Sequence, residues 1–245
     1  MPSADKRARK KENARAARLQ REAAEKRRKR IRSTVTIAIV AALFIGLVVL
    51  LNVAGSDKKK ATPPVTTPTT TTTVPPKAAA GDAKLDRAKK YTATIATNFG
   101  NIVLTLDAKK APIGAGHFVT LAKNGVYNGS RWHRIIKGFV IQGGAPGGDP
   151  TKNYGKAAVG EVPTGAYKLG DIAAAKTGPD PAGTFDSQFF IVTGSQGEGL
   201  PPDYADFGSV TSGMDVVRKI EALKTDANGE PSAKATIDKV TITES

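Results

Sequence analysis

The stretch "YTATIATNFGNIVLTLD", residues 91–107, decides the fold class. Ala93, Ile95 and Thr97 recur at every second position, a turn falls over Asn98 to Asn101, and Ile102, Leu104 and Leu106 take up the same period. Successive strand side chains point to opposite faces, so this pattern predicts an antiparallel hairpin with one buried face. Toward the C-terminus, "APIGAGHFVTLAKNG" (111–125) predicts a helix: a proline stands near its start, Phe118, Leu121 and Ala122 share one face, and Gly125 sits where a left-handed cap ends it. "SQFFIVTG" (187–194) reads as a buried strand, "GMDVVRKIEAL" (213–223) as a second amphipathic helix and "ATIDKVTITE" (235–244) as a closing strand. Short strands with only two helices predict a mainly β domain over residues 91–245, a closed antiparallel barrel capped by two α-helices.

Toward the N-terminus the composition changes. Residues 56–90 read as a Thr/Pro-rich disordered linker, because "ATPPVTTPTTTTTVPPK" (61–77) cannot bury enough apolar surface to offset chain entropy. The helix-like "KAAAGDAKLDRAKK" (77–90) reads as an approach to the domain. Residues 34–55, "TVTIAIVAALFIGLVVLLNVAG", carry no charge. At about 1.5 Å per residue such a run spans a hydrocarbon core of ~30 Å, which predicts a single transmembrane helix. The competing reading is a cleaved signal peptide, but the basic region before this run exceeds an n-region and the run itself exceeds an h-region.

Residues 1–33 form a basic tail. Residues 1–32 hold fourteen Lys or Arg against four Asp or Glu, so +10 of the formal +15 lies there. The cluster is denser than Lys58, Lys59 and Lys60 on the far side of the apolar run. That bias places the tail in the cytoplasm and the domain outside, in a single-pass cell-membrane protein. Anionic inner-leaflet lipids are the expected partner of the tail, and no nucleic-acid partner is expected. Thiol nucleophiles, disulfides and zinc-thiolate sites are excluded, because the chain has no cysteine. The only histidines are His117 and His133, with no G-x-S-x-G elbow and no H-E-x-x-H, which argues against triad hydrolysis and zinc chemistry. "GGAPGGDP" (143–150) lacks the Lys-Ser/Thr ending of a phosphate loop and reads as turns. No metal and no cofactor are expected.

"WHRIIKGFVIQGG" (132–144), "GDIAAAKTGPDPAGTFDSQFFIVTG" (170–194) and "LPPDYADFGSVTSGMDVVRKIE" (200–221) together resemble the cyclophilin-type peptidyl-prolyl cis-trans isomerases, in order and in spacing. The resemblance runs from about Tyr91 to Thr243. It implies an eight-stranded barrel with a groove on its outer surface that takes proline-containing polypeptides. It further implies Arg134, Phe139 and Gln142 as the catalytic set. Val140, Phe190 and Leu200 would line a proline pocket, with Ala175 and Gln188 against the residue preceding proline. Three positions depart from the family's commonest pattern. Lys176 stands where Asn is usual, Gly199 where Trp is frequent and Tyr204 where His is expected. Lys176 and Tyr204 are counted with the substrate-binding residues. Gly199 removes an indole donor, so cyclosporin, the family's inhibitor, is expected to bind weakly. The insert "DPAGTFD" (180–186) has no role assigned by sequence.

The chemistry needs no nucleophile. An X-Pro bond turns slowly because twisting the amide sacrifices resonance, a barrier of about 18–20 kcal/mol. A protein that holds the ring in an apolar pocket and donates a hydrogen bond to the pyramidalised prolyl nitrogen favours the twisted state. Each ~1.4 kcal/mol of such differential binding gives about tenfold in rate. Arg134, charged and carrying a fork of donors, suits that role. The expected substrates are exported proteins as they fold. The rival reading is a proline-segment-binding chaperone or scaffold with little turnover.

Overall fold

A computed structural model of the chain describes residues 76–245. The basic tail, the apolar segment 34–55 and the spacer up to residue 75 lie outside the described residues. Among the described residues no helix is long and apolar enough to cross a membrane.

The hairpin read from residues 91–107 is β1 (Tyr91–Thr97) paired antiparallel with β2 (Gly100–Leu106), and Ala93, Ile95, Ile102, Leu104 and Leu106 are all buried. There follow α1 (Pro112–Lys123), β3 (Ser130–Ile136), β4 (Val140–Gly143), β5 (Ala158–Val159), β6 (Asp171–Ala174), β7 (Thr184–Phe185) and β8 (Phe189–Val192). The chain ends through α2 (Ser195–Glu198), β9 (Asp206–Ser212), α3 (Met214–Glu221) and β10 (Thr236–Glu244). Eight strands close into an antiparallel barrel in the order β1-β10-β3-β4-β8-β6-β9-β2, while β5 and β7 pair separately. Closure leaves the barrel without an exposed strand edge.

The two expected helices, α1 and α3, close the core. Phe118, Val119 and Leu121 from α1, and Val216, Val217 and Ile220 from α3, join the inward strand residues in one apolar cluster. α2 and a 3-10 turn at Pro146–Gly148 are short additions inside loops. Phe189 is a centre of this core, with ring contacts to Phe118, Tyr127 and Trp132 at 5.3 to 5.6 Å. The first turn of α1 has no side-chain cap of its own. Glu161 supplies one from a distance: its carboxylate accepts the N–H groups of Ile113 and Gly114 at 3.0 and 3.1 Å, satisfying donors that every helix start leaves open.

The segment 77–90, expected as the end of the linker, is packed on the domain. Lys77 exchanges backbone hydrogen bonds with Val159. Asp82 pairs with Nδ1 of His117 at 2.9 Å, the two side chains being only 5 % and 1 % exposed. Ala83 donates its N–H to Thr120 Oγ1, and Ala83 and Leu85 lie against the core. A Cβ on Gly116 would stand 2.3 Å from the Ala83 carbonyl oxygen, so a glycine in mid-helix is what lets this strap lie flat on α1. The composition of residues 77–90 hid this, because the partners that order the strap come from α1, β5, Tyr91 and the far C-terminal Ser245.

Candidate functional site

The site is laid out by register. Arg134 of β3 faces Gln142 of β4, Gln142 faces Phe190 of β8, and Phe190 faces Ala173 of β6. One step along, Ile135, Ile141, Ile191 and Ile172 pair across the same four strands and all belong to the core. Because strand side chains alternate, the isoleucine row faces inward and the Arg134 row faces out. A bulge makes this possible for Arg134. Trp132 and Arg134 pair with the adjacent residues Gly143 and Gln142, so His133 is one residue too many on β3. The extra residue reverses the side-chain phase between Trp132, which is in the core, and Arg134, which is not.

Around Arg134 the outer face is apolar. Phe139, Val140, Phe190, Leu200 and Tyr204 are buried yet stand apart from the interior cluster. The Tyr204 ring meets Phe190 edge-on at 5.4 Å and 84°. Burial pushes the Arg134 guanidinium down to about 10, opposed by the nearby Tyr204 hydroxyl, so it stays charged at neutral pH. Burial, and then Asp203, push the Tyr204 hydroxyl up to about 12, so it stays a neutral donor. His133 is held at about 4, first by burial and then by Arg131, and is neutral in the working range. A charged donor beside apolar walls suits a hydrogen bond that strengthens as charge redistributes.

Gln142 is oriented by its neighbours. Gln188 Nε2 donates to the Pro150 carbonyl at 3.0 Å, which turns Gln188 Oε1 toward Gln142 Nε2, also at 3.0 Å. Gln142 Oε1 is left buried and without a hydrogen-bond partner, an acceptor available to an N–H of a bound chain. The Ala175 N–H donates to the Gln188 carbonyl, which places Ala175 beside this amide pair. Lys176 does not present its ammonium to solvent: Nζ reaches Asp203 Oδ2 at 2.8 Å and the Asp180 carbonyl at 3.0 Å, and lies 5.6 Å from the centre of the Tyr204 ring. Arg134, Phe139, Val140, Gln142, Ala175, Gln188, Phe190, Leu200 and Tyr204 thus come from β3, β4, the loop between them, β8 and the residue just before it, and the loops after β6 and α2, where Lys176 ties the last two loops together.

Several supporting residues carried no signal in the sequence. Tyr167 donates its hydroxyl to the Tyr204 carbonyl at 2.8 Å and accepts the Tyr204 N–H at 3.1 Å. Glu221 accepts the Gly138 N–H at 2.8 Å and an Arg218 N–H at 2.7 Å, anchoring the turn that carries Phe139. Burial raises the Glu221 carboxyl, but these bonds outweigh it and hold the group below the usual carboxylate range. Gly229, with φ +86°, accepts the Ile135 N–H at 2.7 Å, and a Cβ there would stand 3.3 Å from Arg134 Cγ. The Asn228-Gly229 dipeptide, a turn signal, is the one trace of this loop that the sequence carries.

The family that matches this chain, over residues 92–242, is described as cyclophilin type peptidyl-prolyl cis-trans isomerase/CLD. A peptidyl-prolyl cis-trans isomerase of Helicobacter pylori is 44 % identical over 139 residues, which is 55 % of this chain and 82 % of that protein. The human peptidyl-prolyl cis-trans isomerase-like 1 is 39 % identical over 143 residues, 55 % of this chain and 82 % of that protein. Among solved structures, a cyclophilin-type isomerase of Cryptosporidium parvum superposes with a TM-score of 0.52 at 25 % identity, over 63 % of this chain and 98 % of its own.

Proposed function

Since the chain belongs to the cyclophilin-type family and is a peptidyl-prolyl cis-trans isomerase, we propose that it turns X-Pro bonds on the outer barrel face built by Arg134, Gln142 and Phe139. Arg134 donates to the prolyl nitrogen as it pyramidalises. Phe139, Val140, Phe190, Leu200 and Tyr204 receive the ring and exclude water. Gln142 and Gln188 hold the backbone of the bound chain, with the residue preceding proline against Ala175. The observation that carries this reading is the row Arg134–Gln142–Phe190–Ala173, which sets one charged donor beside a buried apolar wall on adjacent strands. The test is the cis-to-trans rate of an Ala-Pro tetrapeptide with the full chain and with Arg134→Ala. Loss of about tenfold or more in kcat/KM is expected, the size of a hydrogen bond made chiefly in the transition state. Activity unchanged in the folded variant would remove Arg134 from the mechanism.

The same proposal places the domain outside the cell membrane, tethered through residues 34–55, with residues 1–33 in the cytoplasm against anionic lipids and exported polypeptides as substrates. The charge bias across residues 34–55 supports this reading. Because the chain has no cysteine, single cysteines introduced at Ser3 and at Ser56 report sidedness cleanly. Labelling of intact cells by a membrane-impermeant maleimide is expected at position 56 alone. Weak cyclosporin inhibition follows from Gly199 and is checked by titrating the same assay.

A further inference from the structure

Lys176 is the least expected residue near the groove. Its side chain is 3 % exposed, and its ammonium is engaged by Asp203, 26 % exposed, by the Asp180 carbonyl and by the face of Tyr204. Desolvating an ammonium is costly, and a methionine, one atom shorter, would fill most of the space without that cost. What the charge adds is a directed link. Lys176 follows Ala175, on the side of the groove assigned to the residue preceding proline. Asp203 precedes Tyr204, on the side assigned to the ring. Asp203 is held from behind as well, its carbonyl accepting the N–H of Gly183 in the 180–186 insert at 2.9 Å. Asp180 at the start of that insert accepts Thr177 N–H and Oγ1–H through Oδ2 at 2.8 and 2.6 Å, so the insert is folded around the lysine.

We propose that the Lys176–Asp203 ion pair is a positioning and specificity-determining device: it clamps the two walls of the groove at a fixed separation, so that the residue preceding proline is discriminated by size. The 180–186 insert is the frame that holds the pair. This rests on the groove assignment proposed above. Lys176 acts through Tyr204 and Ala175, not on the reacting amide, so breaking the pair loosens binding and leaves the step at Arg134 largely intact.

The test uses the full chain with Lys176→Met, which keeps the apolar stem and removes the charge, on tetrapeptides with Ala, Leu or Phe before proline. KM for the Ala-Pro peptide is expected to rise about threefold or more with kcat held within about twofold, the pattern of lost uniform binding. The kcat/KM ratio between Ala-Pro and Phe-Pro peptides is expected to move toward one, and Lys176→Arg to recover part of both effects. A folded Lys176→Met protein with KM and the ratio unchanged overturns the proposal, as does a loss confined to kcat. Should Lys176→Met fail to fold, Asp203→Asn removes the same pair from its more exposed side and carries the same two expectations. Arg134→Ala is measured alongside. If it keeps full activity, the groove assignment fails; if it loses activity while the lysine variants match the wild type, only the clamp fails.

Discussion

Trp132 and Ile135 both face the barrel interior although they stand three positions apart, with two residues between them, which a regular strand does not allow. The bulge at His133 absorbs the odd residue and turns Arg134 outward, and the Gly229 loop then backs the arginine stem. Gly229→Ala therefore has two expected effects. The left-handed φ costs about 1–2 kcal/mol of stability, read from urea unfolding. The new methyl presses on Arg134 Cγ and lowers kcat more than it raises KM. In an Arg134→Ala background the effect on kcat should vanish, because the residue it acts through is gone. The protonation states give a third expectation. With Arg134 pushed down only to about 10 and His133 held at about 4, kcat/KM should be flat from pH 6 to 8.5. A bell-shaped profile in that range would point to an acid-base group that this site does not contain.

Elements are held by groups remote in sequence. Glu161 caps α1, Glu221 anchors the β3–β4 turn, and the strap over residues 77–90 is pinned by Asp82 to His117. Removing one partner of a buried hydrogen bond leaves the other unsatisfied, a loss of about 1–3 kcal/mol. Asp82→Ala, which leaves His117 Nδ1 without its partner, should thus destabilise the domain by about that much, and a fragment starting at Tyr91 should be less stable than one starting at Pro76, both by urea unfolding. A fragment from Tyr91 as stable as the longer one would make the strap a bystander. Tyr167→Phe belongs to the same scale. It leaves the Tyr204 N–H and carbonyl without their partner, costs about 1–3 kcal/mol and frees the ring that walls the proline pocket.

For the whole molecule, a half-buried carboxylate and a buried imidazole oppose each other in pH. Burial, then Asp171, raise Asp206 to about 7, so the folded state binds a proton there more tightly than the unfolded one and stability falls as pH rises from about 4 to 7. His133, lowered to about 4, works the other way: the unfolded chain protonates first, so stability rises from about pH 4 to 6.5. Asp206→Asn removes the first of these slopes, so between pH 4.5 and 6.5 its unfolding free energy should rise more steeply with pH than that of the wild type, by up to ~1.4 kcal/mol per pH unit.

By itself the sequence determined the β1–β2 hairpin and the α1 and α3 faces, because period and caps are local properties that a few neighbouring residues fix. The motif residues Arg134, Gln142 and Phe190 were legible too, through their spacing in a resembling family. Only the tertiary structure decided which way Arg134 points, since a one-residue bulge reverses a strand's phase without altering composition. It also decided that Lys176 is buried against Asp203, that Tyr167 grips the Tyr204 backbone and that residues 77–90 are part of the domain. Each of these rests on partners tens of residues away, and such pairings exist only once the barrel has brought their strands and loops together.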